Sequence, residues 1–585
     1  MFEPRKYQKD IFDFIINGQG NLVVEAVAGS GKTSTILESL KLIPKDKRVL
    51  FCAFNNSIVS ELKQRTKSCK NVDVKTIHGM GYYACLRNIK GLNKTPQEYK
   101  YAVELNRNIF KYTTNSQYTL GKHKFNAYKK SIAELFNLCR LNMAHSVETI
   151  SGVCARYEIM PSHDEIDVVR KLISFSLDNT DIMDFTDMVW YPLMLNFDLH
   201  SLFGYDFIFV DEAQDLSKAQ REFVLNCGNK DVRFIFVGDG NQAIYGFGAA
   251  DPYSFSALKQ LPNTTTLPLS VCYRCPKTVI DFVKEYVPCI EAQENALEGV
   301  IRHDRTLGDV NDSDMILCRN NAPLVHIYNS YLRMGRKCFI KGKDIGDNLI
   351  GLIQEHGSEE GCELNVDLQS KGLFSNLYKF YFNQRKNMMM KMGLDTKTCD
   401  ETPYLSDLKD KIETLSILSE GINTMSQLID RVSRIFTNDI QEGIILSTVH
   451  KAKGLEANNI YIARKDLFKS QSKNTAWERE QERNLEYVAY TRPKRMLSFL
   501  RLDETTVPPS SSLNDIEKQI ERLDSLPNRL THPNASKAIK GMSTIKGLPS
   551  KGKGVELGSA PKSLTASANT FRSLLFKKTT KKNNF

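Results

Sequence analysis

Eight consecutive residues, Ala26-Val27-Ala28-Gly29-Ser30-Gly31-Lys32-Thr33, carry what a chain needs to hold a polyphosphate. Gly29 and Gly31 let successive backbone N–H groups curl around an anion, and a helix that starts at the loop adds positive potential. Lys32 is placed to reach the outer phosphates, and the Thr33 hydroxyl is a ligand for Mg²⁺. A second group of polar residues, Asp211-Glu212-Ala213-Gln214-Asp215, follows an apolar run. Acids at the end of a strand can face the same crevice as the phosphate loop. Asp211 is then the Mg²⁺ ligand, and Glu212 is the group that orients and deprotonates an attacking water. Together these residues describe hydrolysis of a nucleoside triphosphate.

The elements that must position them are short and apolar. Residues 21–26 read as a strand, the glycine-rich stretch as a loop, and 33–42 as a helix. Further buried-type strands are expected at 48–54, 206–210 and 232–237, and then at 314–318, 443–448 and 459–463. Strands that alternate with helices predict an α/β protein with parallel sheets covered on both faces. Between about 85 and 200, and again between about 355 and 440, long amphipathic polar stretches replace the apolar runs. Both read as mainly helical insertions.

Composition narrows the class. The chain has 585 residues, 41% of them hydrophobic, enough for several globular units. No run of 18 or more apolar residues suggests a membrane span, and the N-terminus lacks a signal-peptide pattern. A soluble protein of the cytoplasm, nucleoid or nucleus, with no membrane partner, is expected. The 13 cysteines are scattered. Cys272 and Cys275 form the one CxxC pair, without the further ligands of a structural zinc site. The net charge of +11 resides in residues 526–585, where twelve Lys or Arg face a single acid, Glu556. That tail is rich in Pro, Ser, Gly and Lys and poor in large apolar residues, so it is expected to be largely disordered. Residues 514–525 have the pattern of one helix.

Six segments in order resemble the motifs of superfamily 1 helicases of the UvrD/Rep group. They are the loop at 26–33, the acids at 211–215, Gly238-Asp239-Gly240-Asn241-Gln242-Ala243-Ile244-Tyr245, Tyr273-Arg274, Thr448-Val449-His450-Lys451-Ala452-Lys453-Gly454-Leu455-Glu456, and Tyr487-Val488-Ala489-Tyr490-Thr491-Arg492. The resemblance runs from Tyr7 to about Leu497. It implies two RecA-like parallel-sheet motor domains, each with a helical insertion. The first motor domain would comprise 1–84 and 201–265, interrupted by the insertion 85–200. The second would comprise 266–354 and 441–505, interrupted by 355–440, with a basic tail at 506–585.

The resemblance also implies roles. ATP and Mg²⁺ would be bound by Gln8, Ala26, Ala28, Gly29, Ser30, Gly31, Lys32, Thr33, Ser34, Tyr273 and Glu456, with Thr33 and Asp211 on the metal. Gln8 would read adenine, Tyr273 would stack on it, and Glu456 would touch the ribose. Lys32, Glu212, Gln242, Arg274 and Arg492 would be catalytic, Gln242 as a sensor of the terminal phosphate and the arginines as fingers. A planar guanidinium suits a phosphoryl group whose charge is spread over three oxygens. Single-stranded and tailed duplex DNA would be contacted by Phe54, Asn55, Thr76, His78, Phe247, Thr448 and His450, with Trp190 and Tyr191 in another segment near the strand. Base stacking on such aromatics tolerates any sequence.

The expected activity is therefore ATP-dependent helicase action on DNA, with movement 3′→5′, in replication, repair or recombination. Two departures stand out. Gly248 follows Phe247 where relatives carry Arg, and Cys272 precedes Tyr-Arg where Asn is common. The short second insertion also leaves open a translocase that unwinds poorly, and an RNA substrate stays open as well. The segment Phe571-Arg572-Ser573-Leu574-Leu575-Phe576 is apolar within the basic tail and is a candidate peptide for a protein partner such as a sliding clamp.

Overall fold

The computed structural model describes residues 4–53, 56–97, 100–112, 122–157, 159, 161–244, 253–357, 362–364, 368, 372–392, 395–438, 442–468, 476–503 and 513–525. Its strands are β1 (Asn21–Ala26), β2 (Val49–Ala53), β3 (Val72–Thr76), β4 (Tyr205–Val210), β5 (Gly228–Gly238), β6 (Thr264–Leu269), β7 (Val271–Cys272), β8 (Glu291–Ala292), β9 (Val300–Arg305), β10 (Met315–Cys318), β11 (Cys338–Lys341), β12 (Phe436–Thr437), β13 (Ile444–Thr448), β14 (Ala457–Ile462) and β15 (Pro493–Leu500). Among the described residues they build a six-stranded sheet in the order β3-β2-β4-β5-β1-β6 and a seven-stranded sheet in the order β12-β11-β13-β10-β14-β15-β9. Pairings in both sheets are parallel, for example Val23 with Phe236 and Met315 with Ile445. The central strands β2 and β10 are buried along their whole length, as a parallel sheet with both faces covered requires. The edge strands β6 and β9 are largely exposed.

In the first sheet β5 lies between β4 and β1. The carboxyl ends of β1, β5 and β4 therefore sit side by side, and the loops that leave them share one crevice. Helix Lys6–Asn17 precedes β1 and is anchored from β5. Arg233 donates to the carbonyls of Phe14 and Ile15 at 2.9 Å each and to Gly20 at 3.2 Å, which satisfies the end of that helix.

The two helical inserts differ in how they pack. The first has a core of its own, in which Leu105, Ile132, Phe136, Val168, Leu172 and Trp190 meet. In the second, Leu373, Leu377, Leu405, Ile412 and Leu428 share one continuous core with Ile316 and Ile340 of the sheet. It is thus the helical cover of that sheet rather than a separate body. Asp410 accepts from the N–H groups of Asn321 (2.9 Å) and Ala322 (2.9 Å), so a carboxylate of the insert caps the sheet's helix Ala322–Arg333.

The breaks expected at 84/85, 200/201, 265/266 and 354/355 cut through helix Ile77–Asn88, helix Leu199–Phe203, β6 and helix Lys343–His356. Composition shifts mark where chemistry changes, whereas hydrogen-bonded elements run past that point. β6 pairs with β1 from Asn21↔Thr264 to Ala26↔Leu269, so the first sheet extends to Leu269. Within the segment 506–585, the helix expected at 514–525 is present. Helix Leu513–Ser525 buries Ile516, Ile520 and Leu523 in the second core, and Glu517 pairs with Arg385. Residues 526–585, including the peptide at 571–576, lie outside the described residues.

Candidate functional site

The phosphate loop leaves β1 at Ala26, whose side chain is buried and whose strand partner is Leu269. Gly29 and Gly31 have φ of +65° and +79°, a region that costs an ordinary residue roughly 1–2 kcal/mol. Gly29 also has no room for a side chain, because a Cβ there would lie 2.8 Å from Arg274 Cβ and 3.0 Å from Cys272 Sγ. Gly31 is the N-cap of helix Lys32–Leu40, and no side chain caps that helix. The first-turn N–H groups of Lys32, Thr33 and Ser34 thus point into the crevice without an intrahelical partner. The buried Ser30 hydroxyl has no hydrogen-bond partner. This cradle of N–H groups, a lysine and an unspent hydroxyl fits a polyphosphate.

Opposite the loop, Thr33 Oγ1 donates to Asp211 Oδ2 at 2.7 Å. A hydroxyl and a carboxylate at this spacing are the oxygen donors that Mg²⁺ takes alongside phosphate. Glu212 has φ +52°, a left-handed conformation that bends the chain directly after β4 and aims the carboxylate back at Lys32, 3.7 Å away. Burial lifts the Asp211 pKa, with Glu212 adding to it, to about 6. Burial acts the same way on Glu212, but Lys32, Lys453, Gln214 and Arg492 more than offset it and bring its pKa down to about 2. Glu212 is therefore held ionised. Burial pushes the Lys32 pKa down, but Glu212, Asp239 and Asp211 more than offset this and raise it.

Gln242 lies in the turn Gly240–Gln242 after β5. Its Nε2 donates to the fully buried Asp239 at 2.6 Å, and its Oε1 accepts from Arg492 at 3.2 Å. Gln214 links the two acidic segments, donating to Glu212 and accepting from the Asp239 N–H at 3.0 Å.

The second sheet supplies the facing wall. Tyr273 N–H donates to Gly29 O at 2.8 Å. Arg274 is held by Glu456 (2.8 Å) and by the Thr491 carbonyl (3.2 Å). Arg492 is almost fully buried, and burial together with the nearby Arg274 lowers its pKa to about 10. Lys453 reaches across to donate to Asp215 Oδ2 at 2.6 Å and to the Gln242 carbonyl at 2.7 Å. Burial raises the Asp215 pKa to about 6 despite that contact. Lys32, Glu212, Gln242, Arg274 and Arg492 thus converge on one cleft between the sheets.

Other expected residues are placed differently. Gln8 is spent within its own unit: Nε2 donates to Thr35 Oγ1 at 3.0 Å and Oε1 accepts from Arg5 N–H at 3.1 Å. It braces the loop helix. The Ala28 N–H is not available to phosphate, since it donates to the Tyr487 hydroxyl at 2.9 Å. Thr76 Oγ1 caps helix Ile77–Asn88 by accepting from Gly79 N–H at 3.0 Å, and its side chain is buried. His78 lies in the first turn of that helix. Trp190 and Tyr191 are fully buried in the core of the first insertion. The helix that carries them packs on both of its faces, which the two-sided apolar pattern 188–194 did not resolve. Thr448 is buried at the end of β13, and His450 is held neutral, its pKa lowered to about 3 by burial and by Arg319, Lys451 and Lys453. Phe54, Asn55, Phe247 and Gly248 lie outside the described residues. Gln214, Asp239, Lys453, Asn484 and Tyr487 were not singled out from the sequence, although each stands in or beside a quoted motif.

Two family models match the chain. The UvrD/REP helicase N-terminal domain matches residues 8–263, and the UvrD-like helicase C-terminal domain matches 358–503. Among curated relatives, the F-box DNA helicase protein 1 of Schizosaccharomyces pombe is 25% identical over 84% of this chain, which spans 56% of that protein. A probable DNA helicase II homolog of Mycoplasma genitalium is 22% identical over 87% of this chain and 86% of its own length. The ATP-dependent DNA helicase PcrA of Staphylococcus epidermidis is 21% identical over 82% of this chain and 81% of its own.

Proposed function

Since this chain belongs to the UvrD/Rep family of helicases, we propose that it is an ATP-driven motor that moves 3′→5′ on single-stranded DNA and separates duplex strands. The observation that carries this reading is the shared cleft, in which Lys453 and Arg492 of the second unit reach Asp215 and Gln242 of the first, and the Tyr273 N–H reaches Gly29 of the phosphate loop. A site completed from both sides ties hydrolysis to the relative movement of the two units. The 3′→5′ direction rests on the family resemblance alone.

In this reading ATP lies along the loop 26–34, with Tyr273 toward the base and Glu456 toward the ribose, and Gln8 reads the base only by giving up its bonds to Thr35 and Arg5. Thr33 and Asp211 would hold Mg²⁺, which when bound neutralises phosphate charge. Lys32, Arg274 and Arg492 hold the terminal phosphoryl group, and the arginines exchange their carbonyl, glutamine and glutamate partners for its oxygens. Glu212, ionised, takes the proton of the attacking water. Gln242 joins the phosphoryl site to Asp239 and, through Gln214, to Glu212. Single-stranded DNA is assigned to the tops of both units, with His78 and His450 as described members of the expected contact set; Phe54, Asn55 and Phe247, also expected there, lie outside the described residues. Among these, the neutral His450 serves as a hydrogen-bonding group rather than a phosphate-binding cation.

The test is ATP hydrolysis without nucleic acid, with single-stranded DNA, and with single-stranded RNA of the same sequence. We expect strong stimulation by DNA. Absence of hydrolysis in all three arms overturns the reading, and equal stimulation by RNA overturns the substrate. Partial duplexes with a 3′ or a 5′ tail then read direction, with unwinding expected from the 3′ tail.

A further inference from the structure

Helix Ala476–Tyr490 belongs to the second unit, yet one of its faces is applied to two loops of the first. Asn484 and Tyr487 stand three residues apart and so project from the same side. The Tyr487 hydroxyl accepts from the Ala28 N–H of the phosphate loop at 2.9 Å. Asn484 Nδ2 donates to the carbonyls of Ala243 at 3.0 Å and Gly240 at 3.4 Å, at the two ends of the turn that carries Gln242. Tyr487 and Ala28 are fully buried and Asn484 nearly so. The contacts are thus specific polar bonds in a dry interface rather than surface touches. A buried N–H that loses its acceptor is expensive, so the shape of the loop at Ala28 depends on the presence of Tyr487.

We propose that Asn484 and Tyr487 are positioning residues that set the phosphate loop and the Gln242 turn into register with each other when the two units close. This inference rests on the proposed ATPase and deepens it. Neither residue touches a phosphoryl group. Each acts through another, Tyr487 through Ala28 and Asn484 through the turn that aims Gln242. The two loops leave adjacent strands, β1 and β5, which pair at Glu25↔Gly238. No side-chain bond between Gln242 and the loop itself is present among the described contacts. The helix of the second unit therefore spans them as a template. Closure is read at both loops by one rigid element, and an open cleft leaves both unset.

The test compares the full chain with Tyr487→Phe and Asn484→Ala. Amide exchange of the peptide covering residues 26–34 is followed in the presence of a non-hydrolysable ATP analogue, and ATP hydrolysis is followed with single-stranded DNA. We expect Tyr487→Phe to speed exchange at the Ala28 amide at least several-fold. We expect kcat to fall about 10–100-fold with KM for ATP within about twofold, the signature of an interaction that matters in the closed, reacting state. Asn484→Ala should speed exchange in 240–244 and leave Ala28 unchanged. Melting temperatures close to that of the parent separate this effect from misfolding. Unchanged exchange at Ala28 in Tyr487→Phe overturns the proposal whatever the activity. Faster exchange with unaltered kcat overturns the positioning role and leaves only a contact. Lack of hydrolysis by the parent chain would instead sink the ATPase reading, while the exchange arm still decides whether the template exists.

Discussion

The first insertion and the cleft both bury acids beside bases, but they balance charge in different ways. In the insertion, Arg140 pairs with Asp184 at 2.9 Å and Asp187 at 2.6 Å, and Lys100 lies 3.7 Å from Asp187. Two cations meet two anions within one core, and Lys100 also donates to the carbonyls of Asn179 and Ile182 at 2.8 and 2.7 Å. Tyr101 donates to Asp187 at 2.8 Å. Asp184 and Asp187 moreover cap their own helix reciprocally, each accepting from the other's N–H. In the cleft, the first unit brings four acids, Asp211, Glu212, Asp215 and Asp239, against one lysine, Lys32. Positive charge arrives from the second unit as Lys453, paired with Asp215, and as Arg492, bonded to Gln242, while Arg274 beside them is paired with Glu456 of its own unit. A cluster balanced inside one core holds a fold in place. A cluster balanced only across a cleft makes closure electrostatically favourable and lets its members change partners.

The largest expected effect breaks the static side. Asp187→Ala leaves Arg140 and Lys100 short of a buried anion, which costs about 3–5 kcal/mol by the behaviour of buried ion pairs that lose one member. Urea unfolding should register this as a lowered midpoint. A loss below about 1 kcal/mol would mean that the cluster relaxes or admits water, and the contrast with the cleft would collapse.

Next is Lys32→Ala on the other side. DNA-stimulated hydrolysis should drop by at least about 10²–10³-fold, the scale for removing one preorganised donor to developing charge. Thermal stability should barely change, because the lysine's partners in the cleft are shared with Lys453 and Arg492. A melting temperature that falls as far as in Asp187→Ala would place Lys32 in the structural class. Then comes Lys453→Met. It removes the cation between Asp215 and the Gln242 carbonyl and should weaken closure by about 2 kcal/mol, roughly 30-fold in the open–closed equilibrium. Dyes on the two units, read by energy transfer with and without nucleotide, measure it directly.

How much of this could be read in the sequence follows from how local each feature is. The loop 26–33 and the acids 211–215 were legible because their chemistry is written in consecutive residues and their strands are continuous apolar runs. The cross-cleft bonds were not. Ala28 and Tyr487 are 459 residues apart, and Asn484 and Ala243 are 241 apart, so no local pattern pairs them. Thr76 shows a second kind of loss. Its hydroxyl is as suited to capping a helix as to touching a nucleic acid, and only the fold reveals that Gly79 N–H already uses it. Trp190 and Tyr191 show a third. Aromatics in an apolar helix carry no mark of which face meets solvent, and here both faces are covered. The second insertion reads as polar because its helices are amphipathic, yet their apolar sides complete the core of the sheet.

The smallest expected effect is the one that makes the comparison sharp. Arg170 and Asp167 pair on the helix His163–Asp178, at 3.5 Å, with side chains 50% and 51% exposed. That same helix buries Val168, Val169 and Leu172 in the insertion core. The pair therefore shares its scaffold with the buried cluster and differs from it mainly in solvation. Water and salt screen an exposed i,i+3 pair, and ordering two long side chains opposes what attraction is left, so Arg170→Ala should cost less than about 0.5 kcal/mol. Measured by the same urea titration as Asp187→Ala, a cost of that size makes desolvation and shared hydrogen bonds the source of the cluster's strength. A cost near that of Asp187→Ala would instead show that any charge lost from this insertion unfolds it. The distinction between a balanced core and a cleft balanced from two sides would then have to rest on the cleft alone.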